Sequence, residues 1–167
     1  MTHALQTERL VFRRFMRSDA ARLAELLNDI DIARWISPMP HPYTRQDADT
    51  FLDAVVGEKA APYALEHEGH LAGSIAVGRM LGFWLTKPLW NRGLITEAAR
   101  ALLTDHFRGG AEEVQSGFHD GNVASQRVHA KLGFVPNGQS KVFSKALAKE
   151  VIRHDLLLKK DRWEQAA

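Results

Sequence analysis

The sequence contains no cysteine among its 167 residues. Disulfides, thiolate metal sites and a cysteine nucleophile are therefore excluded. Apolar runs long enough to span a membrane are also absent, and the first nine residues lack the apolar core of a signal peptide, so we expect a cytoplasmic protein with no membrane partner. The sequence has little excess charge of either sign, because its 22 Lys and Arg are nearly balanced by 20 Asp and Glu, and it has no run of basic residues. Nucleic acid is therefore not an expected partner.

What is present is the composition of an ordinary globular protein. Hydrophobic residues make up 45% and charged residues 25%, so we predict a single domain over residues 1–167, with no metal site, as a monomer or homodimer. Periodicity and turn residues predict strands at 10–15, 62–66, 71–77, 81–85, 114–118, 140–144 and 151–158, and helices that start near 18, 44, 94 and 122. This order suggests a mixed sheet with helices on both faces.

One turn is especially informative about function. Residues 90–98 follow a predicted strand, contain a single glycine, Gly93, and run directly into a helix. The first amides of a helix have no partner and carry the positive end of the helix dipole, so a diphosphate can bind there without a basic side chain. Gly93 allows close approach of the backbone to such a ligand. The same pattern is also typical of a plain strand-to-helix connection.

A second motif lies about thirty residues further on, at 122–134. At helical spacing, Asn122, Ser125 and His129 form a polar face beside an apolar stripe. Gly133 then ends the helix as a C-cap, and Phe134 starts the next buried strand. Polar groups of this helix are therefore expected to face a shared space.

Together the two motifs resemble the GNAT acyl-CoA N-acyltransferases, and within them the branch that acetylates ribosomal-protein N-termini. Further matches follow in the same order, at 7–10, 82–85, 96–98 and 131–134, so the resemblance covers almost the whole chain. It implies the GNAT fold, an α/β (α+β) architecture with a splayed mixed sheet between helices. It also implies acetyl-CoA-dependent, direct transfer of an acetyl group to a primary amine, on a protein N-terminus or a small molecule.

The resemblance further implies where acetyl-CoA, and hence coenzyme A, binds. In the family, acyl-CoA enters a V-shaped gap between the fourth and fifth strands, here 81–85 and 114–118. The diphosphate would lie on the amides of the turn, the pantetheine would pair with the exposed backbone of the fourth strand, and Asn122 would bind the pantetheine amides, although Asn is also a preferred helix N-cap. The implied cofactor-binding residues are Phe83, Trp84, Leu85, Thr86, Asn91, Arg92, Gly93, Leu94, Ile95, Thr96, Asn122 and Ser125.

Two helix-borne side chains are candidates for protonating the departing thiolate. Ser125 is the acid that the resemblance implies, although a solvated serine is also typical of such a position. His129 stands where many GNAT enzymes carry a tyrosine acid, and an imidazole titrates near neutrality, but a lone helical histidine is often structural. We expect Ser125 to contribute more than His129.

The proton acceptor for the amine is harder to identify. The family branch often carries a glutamate two residues before the strand motif at 82–85, and here that position is Met80. The amine is therefore expected to arrive neutral, unless Glu66, His119 or a water chain takes its proton. His119 is otherwise expected on the surface or in a turn.

The acceptor amine is expected to contact the loop at 36–43. Three prolines prevent regular structure there and leave an extended segment that could wall a pocket. The candidate substrate-binding residues are Trp35, Met39, His41 and Tyr43, with Trp35 and Met39 also able to pack as core residues.

Two other functions stay open. The chain could be a non-catalytic acyl-CoA-binding or sensor domain that retained the cleft. A P-loop nucleotide enzyme is the weaker alternative, because Leu-Ile-Thr follows Gly93 where a phosphate-binding lysine would be needed.

Overall fold

The computed structural model describes residues 5–166, so the ends of the predicted domain, 1–4 and 167, lie outside the described residues. Strands in the described part are β1 (Val11–Arg13), β2 (Tyr63–His67), β3 (His70–Val77), β4 (Leu81–Leu85), β5 (Glu113–His119), β6 (Val135–Ser144) and β7 (Lys149–Lys159). Its α-helices are α1 (Ala20–Leu27), α2 (Ile30–Ala33), α3 (Arg45–Val55), α4 (Leu94–Arg108), α5 (Val123–Leu132) and α6 (Lys160–Ala166).

The strands form two antiparallel sheets that meet at one point. The first sheet has the order β1-β2-β3-β4 and the second β5-β7-β6. A parallel bridge pairs Met80 with Gln115, and the Gln115 amide donates to the carbonyl oxygen of Arg79 at 2.9 Å. β4 and β5 therefore run side by side in the same direction from this junction, as expected for the central strands of the predicted fold.

Helices cover both faces of the first sheet. Ala64 and Leu65 are neighbours on β2 and so project to opposite faces. Ala64 packs in the core beneath α1 and α3, whereas Leu65 packs in the core beneath α4. The small residues Ala98 and Ala99 of α4 are fully buried and bring that helix close to the strands. The predicted two-sided arrangement is confirmed.

Some boundaries differ from the prediction. β6 begins at Val135 rather than near 140, because a register shift between Pro136 and Gln139 hides the alternation that marks a strand. α1 begins at Ala20, after a single 3-10 turn, rather than near residue 18 as predicted. At this helix start the side chain of Asp19, rather than that of Ser18, accepts a hydrogen bond from the Met16 amide at 2.8 Å. α2 and α6 are short and were not predicted.

Two structural findings bear on ligands. No helix within residues 5–166 is long and apolar enough to cross a membrane. In that same range, no group of three or more His, Asp or Glu side chains is placed to hold a metal ion.

Candidate active site

A cleft of about 620 Å³ lies where β4 and β5 separate. Each of these strands is at the edge of its own sheet, so beyond the Met80–Gln115 bridge their facing backbones do not form a ladder. The hydroxyl of Ser116 on β5 still lies 2.9 Å from the carbonyl oxygen of Leu81 on β4. The gap expected between 81–85 and 114–118 is therefore present.

The turn into α4 forms one end of the cleft. Gly93 has φ +74° and Asn91 has φ +59°, a left-handed conformation that glycine adopts freely and asparagine tolerates. The first intrahelical bond runs from the Glu97 amide to the Gly93 carbonyl oxygen at 3.0 Å, which leaves the three preceding amides at 94–96 without an intrahelical partner. The turn therefore fits a diphosphate. The predicted residues Asn91, Arg92, Gly93, Leu94, Ile95 and Thr96 all line the cleft.

An ion pair between Arg9, which precedes β1, and Glu97 of α4 stabilises this end of the cleft. Arg9 contacts the Glu97 carboxylate through Nε at 2.7 Å and Nη2 at 2.6 Å, and its Nη1 donates to the Arg92 carbonyl oxygen at 2.9 Å. The Thr7 hydroxyl also donates to Glu97, at 2.5 Å. Burial alone would raise the pKa of Glu97, but the hydrogen bonds from Thr7 and Arg9 outweigh it and lower the pKa. The motif at 7–10 thus has a structural role next to the phosphate turn.

The edge of β4 lines the next part of the cleft. Phe83, Trp84 and Leu85 belong to the lining, and the Leu85 carbonyl oxygen accepts the indole N–H of Trp90 at 2.7 Å. Thr86 was also expected there, but it lies outside the lining and its amide donates to the Ala72 carbonyl oxygen at 2.8 Å. The part of the β4 edge that lines the cleft therefore ends at Leu85, one residue earlier than predicted.

The start of α5 faces the same cleft. Asn122 is the N-cap, and its Oδ1 accepts the Ser125 amide at 3.2 Å. Its side-chain NH₂ group remains able to donate, so the cap and a ligand contact are compatible in this geometry. Both Asn122 and Ser125 line the cleft.

His129 is not on an open polar face, which corrects the sequence-based expectation. Its ring is 2% exposed and packs among Phe83, Phe118 and Phe134, with centroid distances of 5.4, 6.2 and 5.2 Å. Nδ1 lies 2.7 Å from the Ser125 carbonyl oxygen, which can only accept, so Nδ1 carries the proton. Burial lowers the pKa of His129 to about 4.

His129 is therefore neutral near pH 7, and its one N–H proton is already bonded. Its Nε2 lies 2.7 Å from the Ser116 hydroxyl, and its Nδ1 lies 3.3 Å from the Ser125 hydroxyl. The ring thus holds the backbone of Ser125 in place through its carbonyl oxygen. An imidazolium acid at this position would be costly, because aromatic walls remove its hydration.

His119 is inside the cleft rather than on the surface, which is a second correction. Its ring is 5% exposed, its Nε2 lies 2.8 Å from the Ser37 hydroxyl, and its Nδ1 lies 3.2 Å from the Arg34 carbonyl oxygen. Burial, together with the nearby charge of Arg153, lowers the pKa of His119. The end of β5 and the loop after α2 are far apart in sequence, so no local pattern revealed the contact.

Of the four predicted acceptor-loop residues, Trp35 alone lines the cleft. Tyr43 is 7% exposed in the core beneath α1 and α3, where burial raises its pKa to about 12. Met39 packs against the same core. His41 is exposed and lines a separate shallow hollow with Lys87. Those three side chains therefore lie away from the cleft.

Several lining residues were not singled out by the sequence. Arg127 and Lys131 lie one helical turn apart on α5, a spacing that could have signalled a shared basic face. Ser37 and Arg153 reach the cleft from a loop and from β7, with no local signal. Glu66, considered as a base, instead pairs with Arg13 at 2.5 Å and is absent from the described lining.

Comparison with known proteins identifies the family of this chain. A family model described as the Acetyltransferase (GNAT) domain matches residues 9–135. A Bacillus subtilis (strain 168) protein named "Putative ribosomal N-acetyltransferase YdaF" is 27% identical over 182 aligned positions, which cover 94% of each chain.

Two solved structures share the fold, and both contain coenzyme A. The ribosomal L7/L12 alpha-N-protein acetyltransferase RimL, in complex with coenzyme A, is 16% identical with a TM-score of 0.81 and covers 96% of this chain and 99% of its own. AAC(6')-Ib, in complex with ribostamycin and coenzyme A, is 18% identical with a TM-score of 0.75 and covers 95% and 97%. The family model spans most of the chain. This protein belongs to the GNAT acetyltransferases, enzymes that use acetyl-CoA as the acetyl donor.

Proposed function

We propose that this protein acetylates a primary amine by direct transfer, with the cleft between β4 and β5 as the active site. One observation carries the proposal: a single cleft contains the free amides of α4, the hydroxyl of Ser125 and the His119–Ser37 pair. These groups come from four separate segments of the chain. They are the parts that amide acylation requires, namely an anion site, a proton donor and a proton acceptor.

The donor side is built to hold coenzyme A. The amides at 94–96 bind the diphosphate, and the edge of β4 at 83–85 offers backbone groups to the pantetheine as an added strand. The NH₂ group of Asn122 donates to a pantetheine carbonyl. Arg127 and Lys131 place positive charge on the same cleft and complement the phosphates. Bound acetyl-CoA supplies an acetyl group activated as a thioester.

Ser125 donates its hydroxyl proton to the departing thiolate and is reprotonated from solvent, which also receives the proton that the amine passes to His119. Its amide is fixed by Asn122 and its carbonyl oxygen by His129, so the hydroxyl is held at the start of α5. A free thiol has a pKa of about 8.5, so the thiolate is a tolerable leaving group, and we expect its protonation to contribute about 10- to 10³-fold, around or below the usual range for acid–base catalysis.

His119, assisted by Ser37, accepts the proton that the attacking amine loses. The Arg34 carbonyl oxygen can only accept, so Nδ1 of the neutral ring carries the proton and Nε2 has the free lone pair. Nε2 then accepts the hydroxyl of Ser37. Since burial lowers the pKa of His119, the neutral, basic form predominates near pH 7. This pair takes the place of the carboxylate that is missing at Met80.

The acceptor class follows less directly from the fold, because one similar structure is named a ribosomal L7/L12 alpha-N-protein acetyltransferase and the other holds ribostamycin. The name of the YdaF relative supports a ribosomal-protein N-terminus. A small-molecule amine is the second candidate, which the partly apolar cleft with Trp35 also accommodates.

Transfer is tested by incubating the protein with acetyl-CoA and a panel of N-terminal peptides and small amines. Release of the coenzyme A thiol gives the rate, and mass spectrometry locates the acetyl group. We expect acetylated amine and no acetylated protein. Protection of the protein by coenzyme A without transfer to any amine would instead support the sensor domain.

The role of His119 is tested by the pH dependence of kcat/KM. Protonation of His119 removes the base, and burial lowers its pKa, so we expect kcat/KM to fall along an acidic limb that lies below the ordinary histidine pKa of about 6.5. His119→Ala should lose this acidic limb, whereas His70→Ala, at an exposed strand end, should keep it. A wild-type profile that only rises toward the pKa of the acceptor would mean that the amine arrives already neutral.

A further inference from the structure

The charge on the cleft is one-sided. Within the part of the chain that the structure describes, the lining contains no Asp or Glu but four cationic side chains. Arg92 lies in the phosphate turn, and Arg127 and Lys131 lie on α5, so these three face the donor side. Arg153 lies on β7, beside the proposed proton acceptor, and the phosphates of coenzyme A give no reason for its charge there.

Arg153 is held in a defined position. It is the register partner of His119 across β5 and β7, so the two side chains project from the same face of the sheet. Its stem crosses Gly117, where an added Cβ would come within 3.0 Å of the Arg153 Cδ. Its Nε donates to Asp155 Oδ1 at 2.7 Å, and Asp155 also accepts the Ser140 hydroxyl at 3.1 Å.

This arrangement leaves one edge of the guanidinium available. Among residues 5–166, no hydrogen bond engages Nη1 or Nη2 of Arg153. Asp155 accepts a hydrogen bond from Nε of the guanidinium and does not itself line the cleft. The two Nη groups form a planar fork, the geometry that binds a carboxylate through two parallel hydrogen bonds.

We propose that Arg153 binds a carboxylate on the acceptor, so that the substrates are molecules with one reactive amine and a nearby carboxylate. This proposal rests on the proposed function, because it assigns the acceptor of that same site. Both an acidic peptide N-terminus and a small amino acid carry this chemistry. A polycationic amine does not, and it would meet only like charge in a cleft whose described lining has no carboxylate.

Matched acceptors test the proposal. One arm compares peptides that begin Ser-Asp and Ser-Glu with Ser-Asn and Ser-Gln peptides of equal length, all amidated at the C-terminus. The other compares short ω-amino acids with their amides, and ribostamycin and spermidine serve as polycations. We expect the wild-type protein to prefer the carboxylate member of at least one arm by about 10- to 100-fold in kcat/KM, the value of a charged hydrogen bond.

Variants then assign the preference to Arg153. Arg153→Gln also removes a charge that lowers the pKa of His119, so the rates are compared at pH 8, where His119 is neutral with or without that charge. There Arg153→Gln should raise KM for the acid far more than for the amide and so remove the preference, and Arg153→Lys should restore it in part. Arg108→Gln, at the exposed end of α4, is the matched control and should keep it. Protection by coenzyme A against thermal unfolding shows that each variant is folded.

The results separate this proposal from the function on which it rests. Equal rates with acids and amides, or an equal loss for both in Arg153→Gln, would overturn the carboxylate site and leave acetyl transfer intact. Efficient acetylation of ribostamycin or spermidine would overturn it as well. Failure to acetylate any amine would contradict the proposed function itself.

Discussion

The two halves of the cleft differ in whether backbone groups or side chains line them. In the proposed function, the donor half consists of the β4 edge at 83–85, the turn at 91–96 and Asn122, and it presents mainly backbone groups. The acceptor half consists of Trp35, Ser37, His119 and Arg153, and it presents side chains from three distant segments. A site of backbone amides needs only the local chain path, whereas a site of side chains needs particular residues brought together by the whole fold. The comparison suggests that the donor half serves one constant ligand and that the acceptor half sets specificity.

Ser125 lies at the start of α5, next to Asn122 of the donor half, and its loss should have the largest effect. Ser125→Ala removes the proton donor but keeps the helix and its cap, so we expect kcat to fall by about 10- to 10³-fold with nearly unchanged binding of coenzyme A. Steady-state kinetics and calorimetric titration measure the two quantities. Ser18→Ala, an exposed serine outside the cleft, should match the wild type. Full activity in Ser125→Ala would mean that water protonates the thiolate.

Gly93 tests whether the donor half depends on backbone conformation. A β-branched residue is strained at φ +74°, so Gly93→Val should distort the turn and weaken binding of coenzyme A by about 10-fold or more. Coenzyme A at a hundredfold excess over its Kd should stabilise the wild type by about 2.7 kcal/mol, and NAD and ATP should not.

The matched control for that variant is Gly57→Val. Gly57 has φ +90° with no atom within 4 Å of an added Cβ, so the strain is comparable but the site is not part of the cleft. It should lower the melting temperature without changing the Kd for coenzyme A. Unchanged affinity in Gly93→Val would show that the turn is only structural.

His129 separates a structural from a catalytic role. Its folded pKa of about 4 lies below the unfolded value of about 6.5, so the unfolded chain takes up the proton first as the pH falls. The stability that the neutral ring contributes is present above pH 6.5 and is lost toward pH 4, to an extent of about 3 kcal/mol.

His129→Phe should therefore unfold with a weaker pH dependence than the wild type, because a phenyl ring does not titrate. Urea unfolding at pH 7 and pH 5 measures this difference. We expect kcat to fall less than in Ser125→Ala. The opposite ranking would assign the acid role to His129.

The loop after α2 should show the smallest effects. Trp35 lines the cleft, so Trp35→Ala should raise the KM for the acceptor several-fold. His41→Ala should leave the KM unchanged and should change the free energy of unfolding by no more than about 0.5 kcal/mol. Initial rates across several amines measure both variants. A shift in acceptor preference for His41→Ala would mean that the loop moves over the cleft during binding.

The sequence predicted the local backbone geometry of the proposed donor half better than the side-chain arrangement of the proposed acceptor half, for a physical reason. A turn or a helix cap can be predicted from a few consecutive residues, because its geometry is local. Such local geometries occur at Gly93, Asn122 and Gly133. The helix at 122–132 and the strand at 81–85 were therefore placed correctly. His119 and Arg153 were not, because their roles depend on strand register and on a loop more than eighty residues away from His119 along the chain.

Burial was the other quantity that the sequence could not supply. Helical spacing put His129 and Ser125 on one polar face, but three phenylalanines from other segments enclose the histidine. Tyr43 was likewise expected at the cleft because the prolines around it prevent regular structure, and Met39 was expected either there or in the core. The loop directs both side chains into the core beneath α1 and α3.

The central claim is that donor and acceptor meet between Ser125 and the His119–Ser37 pair. A crystal structure with coenzyme A and an accepted amine measures this directly. The account predicts the coenzyme A sulfur within hydrogen-bond reach of the Ser125 hydroxyl, and the amine nitrogen within reach of Ser37 or His119, directly or through one water. A sulfur outside the gap between β4 and β5, or an amine remote from His119, would contradict it.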